Sequence, residues 1–351
     1  MIFFVSVMLF ISAWCYLLYP VFLRLFALSE IGLSSCIPEN LSVTVIIPVY
    51  NEQEHIQRKI EEALAYDKTV SQVIFTDASD DSTTAILEKY ADNGRFKIVR
   101  SKKGRSHQIN KALKSAKGDV ILITDVDASL PVDTVSRIVS CFAVDVGAVA
   151  AKVLPPENNE IDRIFWQTQN MLRSLESGYY SSPVASGACY AFVRRLIARI
   201  PDDVWADDIY VPFMVNFKGY RVVFADDIII NELRGPESLR ELLVSKIRKV
   251  YDNQKETKRI FKQIFSDAHF KWKVIFVSRS AQLFVAPVCL TVLIVYAAIK
   301  YNLFWHIVVL FLLSQMPFLP ELSSIVRAFV LTNTAVLCSL LAMLTGKKVT
   351  Y

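Results

Sequence analysis

Long apolar runs lie at both ends of this 351-residue chain, and the part between them alternates apolar and polar positions. The first run is almost entirely apolar through Phe26, with Arg24 as its only charge, and about 20 such residues cross a bilayer core. A cleavable signal peptide would carry Lys or Arg before the run and small residues at a cleavage site after it, and neither is evident. The pattern predicts an uncleaved transmembrane helix over residues 1–27.

The C-terminal third repeats this apolar signature. Three further runs lie there: residues 281–299, 303–318 and 328–344. The middle run is short and contains Gln315 and Pro317, so a re-entrant or interfacial segment is the alternative to a full span. We therefore expect a C-terminal transmembrane region over residues 280–346, with two to three helices.

Residues 40–255 have the pattern of a water-soluble domain in which strand-like and helix-like stretches alternate. The first strand-like run, SVTVIIPVY, is followed by NEQEHIQRKIEEALAY, where Ile56, Ile60 and Ala63 recur at helical spacing. Two more strand–helix pairs and a fourth strand, DVILITD, follow with short connections. This rhythm predicts an α/β domain with a mostly parallel open sheet and helices on both faces.

Polar side chains gather where the predicted strands end. Glu52 follows the first strand, Asp77 ends the second, and Asp125 and Asp127 follow the fourth. Ligands of open parallel sheets bind at these strand ends, and alternate residues of an extended chain share a face, so the two aspartates can point the same way. The alternative is that polar residues there cap the following helices; this explains Ser82 well, and two carboxylates one residue apart less well.

Charge is distributed unevenly behind a modest net value of +5. Between Lys246 and Arg279, ten Lys or Arg residues stand against three acidic ones. A basic stretch beside a membrane span favours the cytoplasmic side and contact with anionic headgroups. We therefore expect residues 256–279 to form a basic amphipathic or interfacial segment that contacts membrane lipids. Because no recognition motif accompanies the basic stretch, nucleic acid is not an expected partner.

Six scattered cysteines, none of them in CxxC spacing, suggest neither a disulfide framework nor a zinc site. That usage suits a reducing cytoplasm. We expect a multi-pass protein of the inner (cytoplasmic) cell membrane, with its catalytic domain in the cytoplasm.

Four motifs, in order, resemble the family 2 glycosyltransferases, which have the GT-A nucleotide-diphospho-sugar transferase fold. The motifs are VIIPVYNE (45–52), TDASDDST (76–83), TDVDA (124–128), which looks like the DxD motif, and ADDI (206–209). The resemblance covers about residues 43–254. With the flanking apolar segments, it is closest to the membrane-bound branch that makes polysaccharides and glycolipids.

The resemblance implies a nucleotide-diphosphate sugar donor, here a UDP-sugar, and a divalent cofactor, Mg²⁺ or Mn²⁺. Such an ion stabilises the departing nucleoside diphosphate, and carboxylates suit it as ligands. Asp127 is then the main metal ligand, and Asp125 binds the ribose or the metal. Residues expected to bind the donor are Pro48, Tyr50, Glu52, Asp77, Arg105, Asp125, Gly187 and Arg248.

Tyr50 and the basic stretch KGRSHQINKAL each allow a structural role besides donor binding. Tyr50 can stack on the base, although simple strand packing is the ordinary role of such a residue. In KGRSHQINKAL, Lys103 or Arg105 can reach the base or diphosphate while Asn110 supports the loop. The alternative for this stretch is a solvated basic face.

The segment WADDIYVPFMVNFKGYRVVF resembles the family segment in which an acidic pair opens a helix. By that match Asp208 is the catalytic base, which takes the acceptor proton during a single displacement that inverts the anomeric centre. Asp207 stands where Glu is more common, and acids at a helix N-terminus are also favoured by the helix dipole. SKIRKVYDNQ keeps Arg248 but lacks the Gln and Trp of the QxxRW motif, so processive synthesis is not implied.

We therefore expect an enzyme: a membrane-anchored inverting glycosyltransferase that acts on a saccharide or lipid-linked acceptor for cell-surface glycan synthesis. Two alternatives stay open. One is a polyprenyl-phosphate single-sugar transferase, and the other is an inactive scaffold subunit beside other polysaccharide-synthesis subunits. The four retained aspartates, Asp77, Asp125, Asp127 and Asp208, argue against the scaffold.

Overall fold

The computed structural model describes most of the chain, in five segments: residues 2–27, 41–157, 159–265, 268–301 and 320–347. The short apolar run at 303–318 lies outside the described residues, so its prediction as a span or interfacial segment stays untested.

One eight-stranded mixed sheet forms the centre of the middle domain, with strand order β3-β2-β1-β4-β7-β6-β8-β5. The first four strands in that order are parallel, and β7 is antiparallel to both of its neighbours. This confirms the predicted α/β fold with a mostly parallel open sheet. The strands are β1 Val43–Val49, β2 Val70–Asp77, β3 Phe96–Arg100, β4 Val120–Thr124, β5 Ala128–Ser129, β6 Val146–Leu154, β7 Cys189–Val193 and β8 Arg221–Glu232.

Helices cover both faces of the sheet, and further helices come before its first strand and after its last strand in the chain. Within the described residues they are α1 Ile2–Phe26, α2 Ile56–Leu64, α3 Thr83–Glu88, α4 Arg105–Leu113, α5 Thr134–Ser140, α6 Glu160–Tyr179, α7 Asp207–Phe217, α8 Leu239–Ile260, α9 Phe270–Phe284, α10 Ala286–Lys300 and α11 Pro320–Thr345. Helix α1 includes a π-helical segment, Trp14–Leu18.

Alternation along β1 explains the two apolar layers. Val45 and Ile47 belong to one buried cluster and Ile46 to the other, because successive strand residues point to opposite faces. Both faces of β1 are therefore buried, as is typical of a central strand in a parallel sheet. The polar residues that follow β1 lie at its carboxyl end, where the site is.

Two described helices, Ile2–Phe26 and Ser323–Thr345, are long and apolar enough to cross a membrane. A third candidate is the bent pair α9 and α10, which meet at 47°. The first helix matches the span predicted for residues 1–27, and the second contains the run predicted at 328–344. The run predicted at 281–299 falls mainly on α10.

Helix α8 joins the middle domain to the candidate membrane helices. It is continuous through residues 255 and 256, where the sequence places a domain boundary. Gln254 on this helix donates a hydrogen bond to the Leu283 carbonyl at 2.7 Å and accepts one from Ser339 Oγ at 2.9 Å. Helix α8 is thereby fastened to both α9 and α11.

The predicted interfacial segment 256–279 is partly internal. Trp272 and Phe276 are buried, and their ring centroids lie 5.8 and 5.7 Å from that of Phe213 on α7. Two of the ten basic residues counted between Lys246 and Arg279 are also internal: Lys246 pairs with Asp162, and Arg279 pairs with a fully buried glutamate on α6. The two aromatic rings pack against α7 inside the protein, so this part of the segment does not face lipid. The paired cations are likewise not available to lipid headgroups.

Candidate active site

A cavity of about 1410 Å³ opens at the carboxyl ends of the central strands. Six predicted site residues line it: Tyr50, Arg105, Asp125, Gly187, Asp208 and Arg248. The remaining four lie outside this lining: Pro48, Glu52, Asp77 and Asp127. Parallel strands bring residues that are far apart in sequence to one edge of the sheet, so most of the predicted set converges.

Arg105 is the hub that holds this edge together. It is the first residue of α4 and follows Gly104, whose φ of 123° is a conformation that other residues rarely adopt. Its Nε donates to Asp207 Oδ1 at 2.6 Å, its Nη2 donates to the Gly187 carbonyl at 2.8 Å, and its Nη1 pairs with Asp125. One side chain therefore ties together the segments after β4, before β7 and at the start of α7.

The two acids that open α7 have different environments. Asp207 is buried, and besides Arg105 it accepts a 2.5 Å hydrogen bond from the Tyr190 hydroxyl. Asp208 is only half-buried and lines the cavity. Burial and the neighbouring charge of Asp207 raise the pKa of Asp208 to about 6, against the lowering effects of Arg105 and Arg173. Both acids line the cavity, but Asp207 is buried and bonded to Arg105 and Tyr190, whereas Asp208 is the more exposed of the two.

Gly187 leaves open the space between these groups. A Cβ atom at this position would lie 3.7 Å from Asp208 Oδ2 and 3.8 Å from Arg105 Nη2. These are ordinary contact distances, so the fold itself does not require glycine here. A longer side chain would instead extend into the cavity beside Asp208.

Asp125 and Asp127 hold different partners although they leave the same strand. Asp125 pairs with Arg105, and burial raises its pKa against the lowering effect of that arginine. Asp127 Oδ2 accepts a 3.0 Å hydrogen bond from Arg234 Nε, and Arg234 Nη2 donates to Glu52 Oε1 at 2.6 Å. The two carboxylates are therefore each neutralised by a separate arginine.

The donor set fits a divalent ion only in part. Across the segments that the structure describes, no group of three or more His, Cys, Asp or Glu side chains is arranged to hold a metal. Carboxylate oxygens are nevertheless suitable ligands for Mg²⁺ and Mn²⁺, and Glu52 Oε2 is buried beside Asp127 with no hydrogen-bond partner among the described residues. Asp127 and Asp125 thus suit an ion that takes its remaining ligands from a bound diphosphate and water.

Asp77 is turned into the loop that follows β2. It is fully buried and accepts hydrogen bonds from the Ser79 amide at 2.9 Å and Thr84 Oγ1 at 2.6 Å, and it pairs with Arg100. Burial raises the pKa of Asp77, but the hydrogen bonds together lower it by more, so the net shift is downward. The structure gives this carboxylate a role in shaping the loop, and its contact with a nucleotide stays a prediction.

The basic stretch before α4 lies beside Tyr50. Lys103 Nζ lies 2.8 Å from the Tyr50 hydroxyl and 4.1 Å from the centre of its ring. Asn110, on the same helix as Arg105, is hydrogen-bonded through its side chain to both the amide and the carbonyl of Ile200. Asn110 therefore braces the loop before α7, and Lys103 lies at the mouth of the site.

Sequence reasoning missed two residues at the end of β8. Glu232 lines the cavity, and Arg234 bridges Glu52 and Asp127. Burial raises the pKa of Glu232 to about 7, against the lowering effect of Lys249. The available signal was a polar pair after the apolar run of a strand, the same signal that singled out Asp125 and Asp127.

Comparison with known proteins agrees with this architecture. Residues 44–200 match the family model described as Glycosyl transferase family 2. An N-acetylglucosaminyltransferase of Bradyrhizobium diazoefficiens is 23% identical over 232 residues, which cover 59% of this chain and 48% of that protein. A poly-beta-1,6-N-acetyl-D-glucosamine synthase of Staphylococcus aureus is 23% identical over 230 residues, with coverage of 59% and 53%.

One solved structure is similar over almost the whole chain. The mannosyltransferase PcManGT from Pyrobaculum calidifontis, in complex with GDP-Man and Mn²⁺, superposes with a TM-score of 0.80 at 22% identity, covering 98% of this chain and 100% of that one. This likeness supports the fold. The chain spans about half the length of the curated relatives it matches.

Proposed function

Because residues 44–200 match the Glycosyl transferase family 2 model, we propose that the chain is a membrane-anchored inverting glycosyltransferase. It transfers a sugar from a nucleotide-diphosphate donor to a saccharide or lipid-linked acceptor for cell-surface glycan synthesis. The observation that carries the proposal is the placement of the half-buried Asp208 beside Gly187 and Arg105 in one cavity.

Asp208 acts as the general base in this proposal. An acceptor hydroxyl oxygen attacks the anomeric carbon and loses its proton to the Asp208 carboxylate. The bond from that carbon to the diphosphate oxygen breaks, and the nucleoside diphosphate leaves with the electron pair. Attack from the side opposite the leaving group inverts the anomeric centre. With a pKa of about 6, Asp208 is mostly ionised at neutral pH and still basic enough to accept a proton.

Arg105 positions the groups around the donor. By holding Asp125, Asp207 and the Gly187 carbonyl, it fixes the donor side of the cavity relative to the base. Such fixed geometry supports transfer because misplacement of reacting groups is costly in rate. Tyr50 and Lys103 at the mouth are proposed to hold the base and the diphosphate.

Asp127 and Asp125 would hold Mg²⁺ or Mn²⁺ together with the donor diphosphate. When bound, the ion supplies positive charge that stabilises the departing diphosphate. Asp125 would keep its contact with Arg105, whereas the ion would compete with Arg234 for Asp127.

The membrane part of the proposal rests on the two long apolar helices and the bent pair. The catalytic domain is proposed to lie on the cytoplasmic side of the inner membrane, because basic residues are abundant next to the C-terminal spans. We propose the domain limits that the sequence predicts. They are an N-terminal span over residues 1–27, the catalytic domain over 40–255, an interfacial segment over 256–279 and a C-terminal membrane region over 280–346. A partner subunit for polysaccharide synthesis is compatible with it.

A second candidate, a polyprenyl-phosphate single-sugar transferase, is favoured by the continuity of the cavity with the apolar helices, which supply Tyr16 and Phe329 to its lining. The two candidates differ in the product, a growing saccharide or a lipid that bears one sugar. An inactive scaffold would make neither.

The test is a donor screen on membranes that contain the full chain. UDP-linked and GDP-linked radiolabelled sugars are supplied with Mn²⁺, and products are extracted into organic solvent, sized and compared with those of Asp208→Asn. Donor-dependent product that disappears in the variant supports the proposal. Failure to bind any nucleotide and to consume any donor would instead favour the scaffold.

A further inference from the structure

Arg173 on α6 is a buried cation with unused hydrogen-bonding capacity. Only 8% of the residue is exposed, and its Nε and Nη1 are buried without a hydrogen-bond partner among the described residues. An arginine side chain has five N–H donors, and leaving such donors unpaired inside a protein costs stability. The charges of Asp208, Glu176 and Glu232 act on the guanidinium, but none of these carboxylates accepts a hydrogen bond from Nε or Nη1. These two donors can therefore bind an anionic group of a ligand.

Other cations surround the same tryptophan as Arg173. The Arg173 guanidinium carbon lies 5.4 Å from the ring centre of Trp166, and the Nζ atoms of Lys249 and Lys246 lie 5.4 and 5.6 Å from it. Lys246 is already paired with Asp162 at 2.6 Å. Arg173 and Lys249 therefore add positive charge beside Trp166, and both line the cavity that contains Asp208.

The cavity is amphiphilic along its length. Its lining includes the acids of the active site, Arg173 and residues of the candidate membrane helices. Those residues include Tyr16 and Pro20 of α1, Pro287 of α10, and Phe329 of α11. A ligand that fills this space has a polar head near Asp208, an anionic group near Arg173 and an apolar chain between the helices.

We propose that Arg173 and Lys249 bind the phosphate of a lipid-linked acceptor whose hydrocarbon chain lies along α1, α10 and α11. This inference rests on the proposed function, since it names the acceptor class for the same cavity. The phosphate is held and is not consumed: the reacting acceptor hydroxyl still loses its proton to Asp208. A water-soluble phosphorylated sugar would satisfy the same two cations, but it would leave the apolar part of the cavity unfilled.

Binding in the absence of donor tests the proposal directly. The purified full chain is titrated with polyprenyl phosphate, with the polyprenol of the same length and with inorganic phosphate, and bound ligand is counted by native mass spectrometry. We expect polyprenyl phosphate to bind at least tenfold more tightly than either of the other two. Arg173→Gln should weaken its binding at least tenfold, and Lys249→Gln severalfold.

Controls separate charge from folding. Arg163→Gln removes an exposed arginine from the same helix and should leave lipid-phosphate binding unchanged. Lys249 is exposed, so its variant tests the site even if Arg173→Gln folds poorly. Mn²⁺-dependent nucleotide binding should be unchanged in both cavity variants.

Three outcomes would overturn the inference: equal binding of the polyprenol, unchanged binding in both cavity variants, or inorganic phosphate binding as tightly as the lipid. The last outcome would assign the two cations to a free phosphate ligand. Loss of nucleotide binding in the unmodified chain would instead refute the proposed function, and lipid-phosphate binding that depends on Arg173 would still support the subsite.

Discussion

The proposed role of Asp208 as general base makes a quantitative prediction about pH. Its pKa of about 6 arises from burial and from the charge of Asp207, against the lowering effects of Arg105, Arg173 and Lys249. A base must be ionised to accept a proton, so activity should rise with pH through this pKa. With a pKa of about 6, roughly nine tenths of the carboxylate is ionised at pH 7 and about one tenth at pH 5.

We therefore expect kcat/KM for transfer to fall about tenfold from pH 7 to pH 5, because kcat/KM reports the ionisation of the free enzyme. Asp208→Asn should lower transfer by about 10² to 10⁴-fold, the usual contribution of a general base, with nucleotide binding nearly intact. The assay measures transferred radiolabel against pH, alongside nucleotide titration of each variant.

Two comparisons sharpen this test. Arg173→Gln removes a positive charge that lowers the pKa of Asp208, so the rising limb of the pH profile should move to higher pH. Asp133→Asn changes an exposed carboxylate that is not part of the cavity lining and should leave the profile unchanged. A profile that is flat between pH 5 and 8, or an Asp208→Asn variant that retains more than a tenth of the activity, would refute the role of this residue.

Three further predictions concern the metal site, a buried ion pair and a glycine with positive φ. Asp127→Ala should weaken Mn²⁺-dependent nucleotide binding at least tenfold while Asp208→Asn does not, and calorimetric titration with and without Mn²⁺ compares them; exchanged phenotypes would contradict both assignments. Asp162→Asn should lower the free energy of unfolding by about 3 kcal/mol because it leaves Lys246 buried and unpaired; thermal unfolding measures this, and adding Lys246→Met should recover much of the loss if the reasoning holds. Gly104→Ala should cost about 1–3 kcal/mol because its φ of 123° disfavours a side chain, and an unchanged melting temperature would show that the turn relaxes.

Much of the site follows from sequence because strand ends converge by a general rule. Tyr50 and Asp125 follow the parallel strands β1 and β4, so the rule for parallel sheets places both at one edge. Gly187 comes before the antiparallel strand β7 and Asp208 lies at the start of α7, and both line the same cavity. Apolar runs indicate which stretches form buried strands, and the polar residues after them are then candidates for a site. The same pattern predicted the long apolar helices at both ends.

The ion-pair partners of these residues could not be predicted from the sequence in the same way. Arg234 lies next to Asp127 because β5 pairs with β8, a contact between segments about a hundred residues apart. Arg173 is one arginine on an amphipathic helix, and its burial depends on the packing of α6 against α1, α11 and β8. Pairing across long sequence separations is a property of the folded chain, so local patterns predict the acids better than the cations that neutralise them.

Helix α8 has a mechanical consequence. Arg248 in the cavity wall and Gln254, which is bonded to α9 and α11, lie on one rigid rod about 9 Å apart, given a rise of 1.5 Å per residue. If α9 and α11 lie in a membrane as proposed, their tilt would follow bilayer thickness, and α8 would carry that adjustment into the wall of the cavity. The surrounding lipid would then set the position of Arg248 relative to the proposed donor, which makes the bilayer part of the geometry of the proposed transfer.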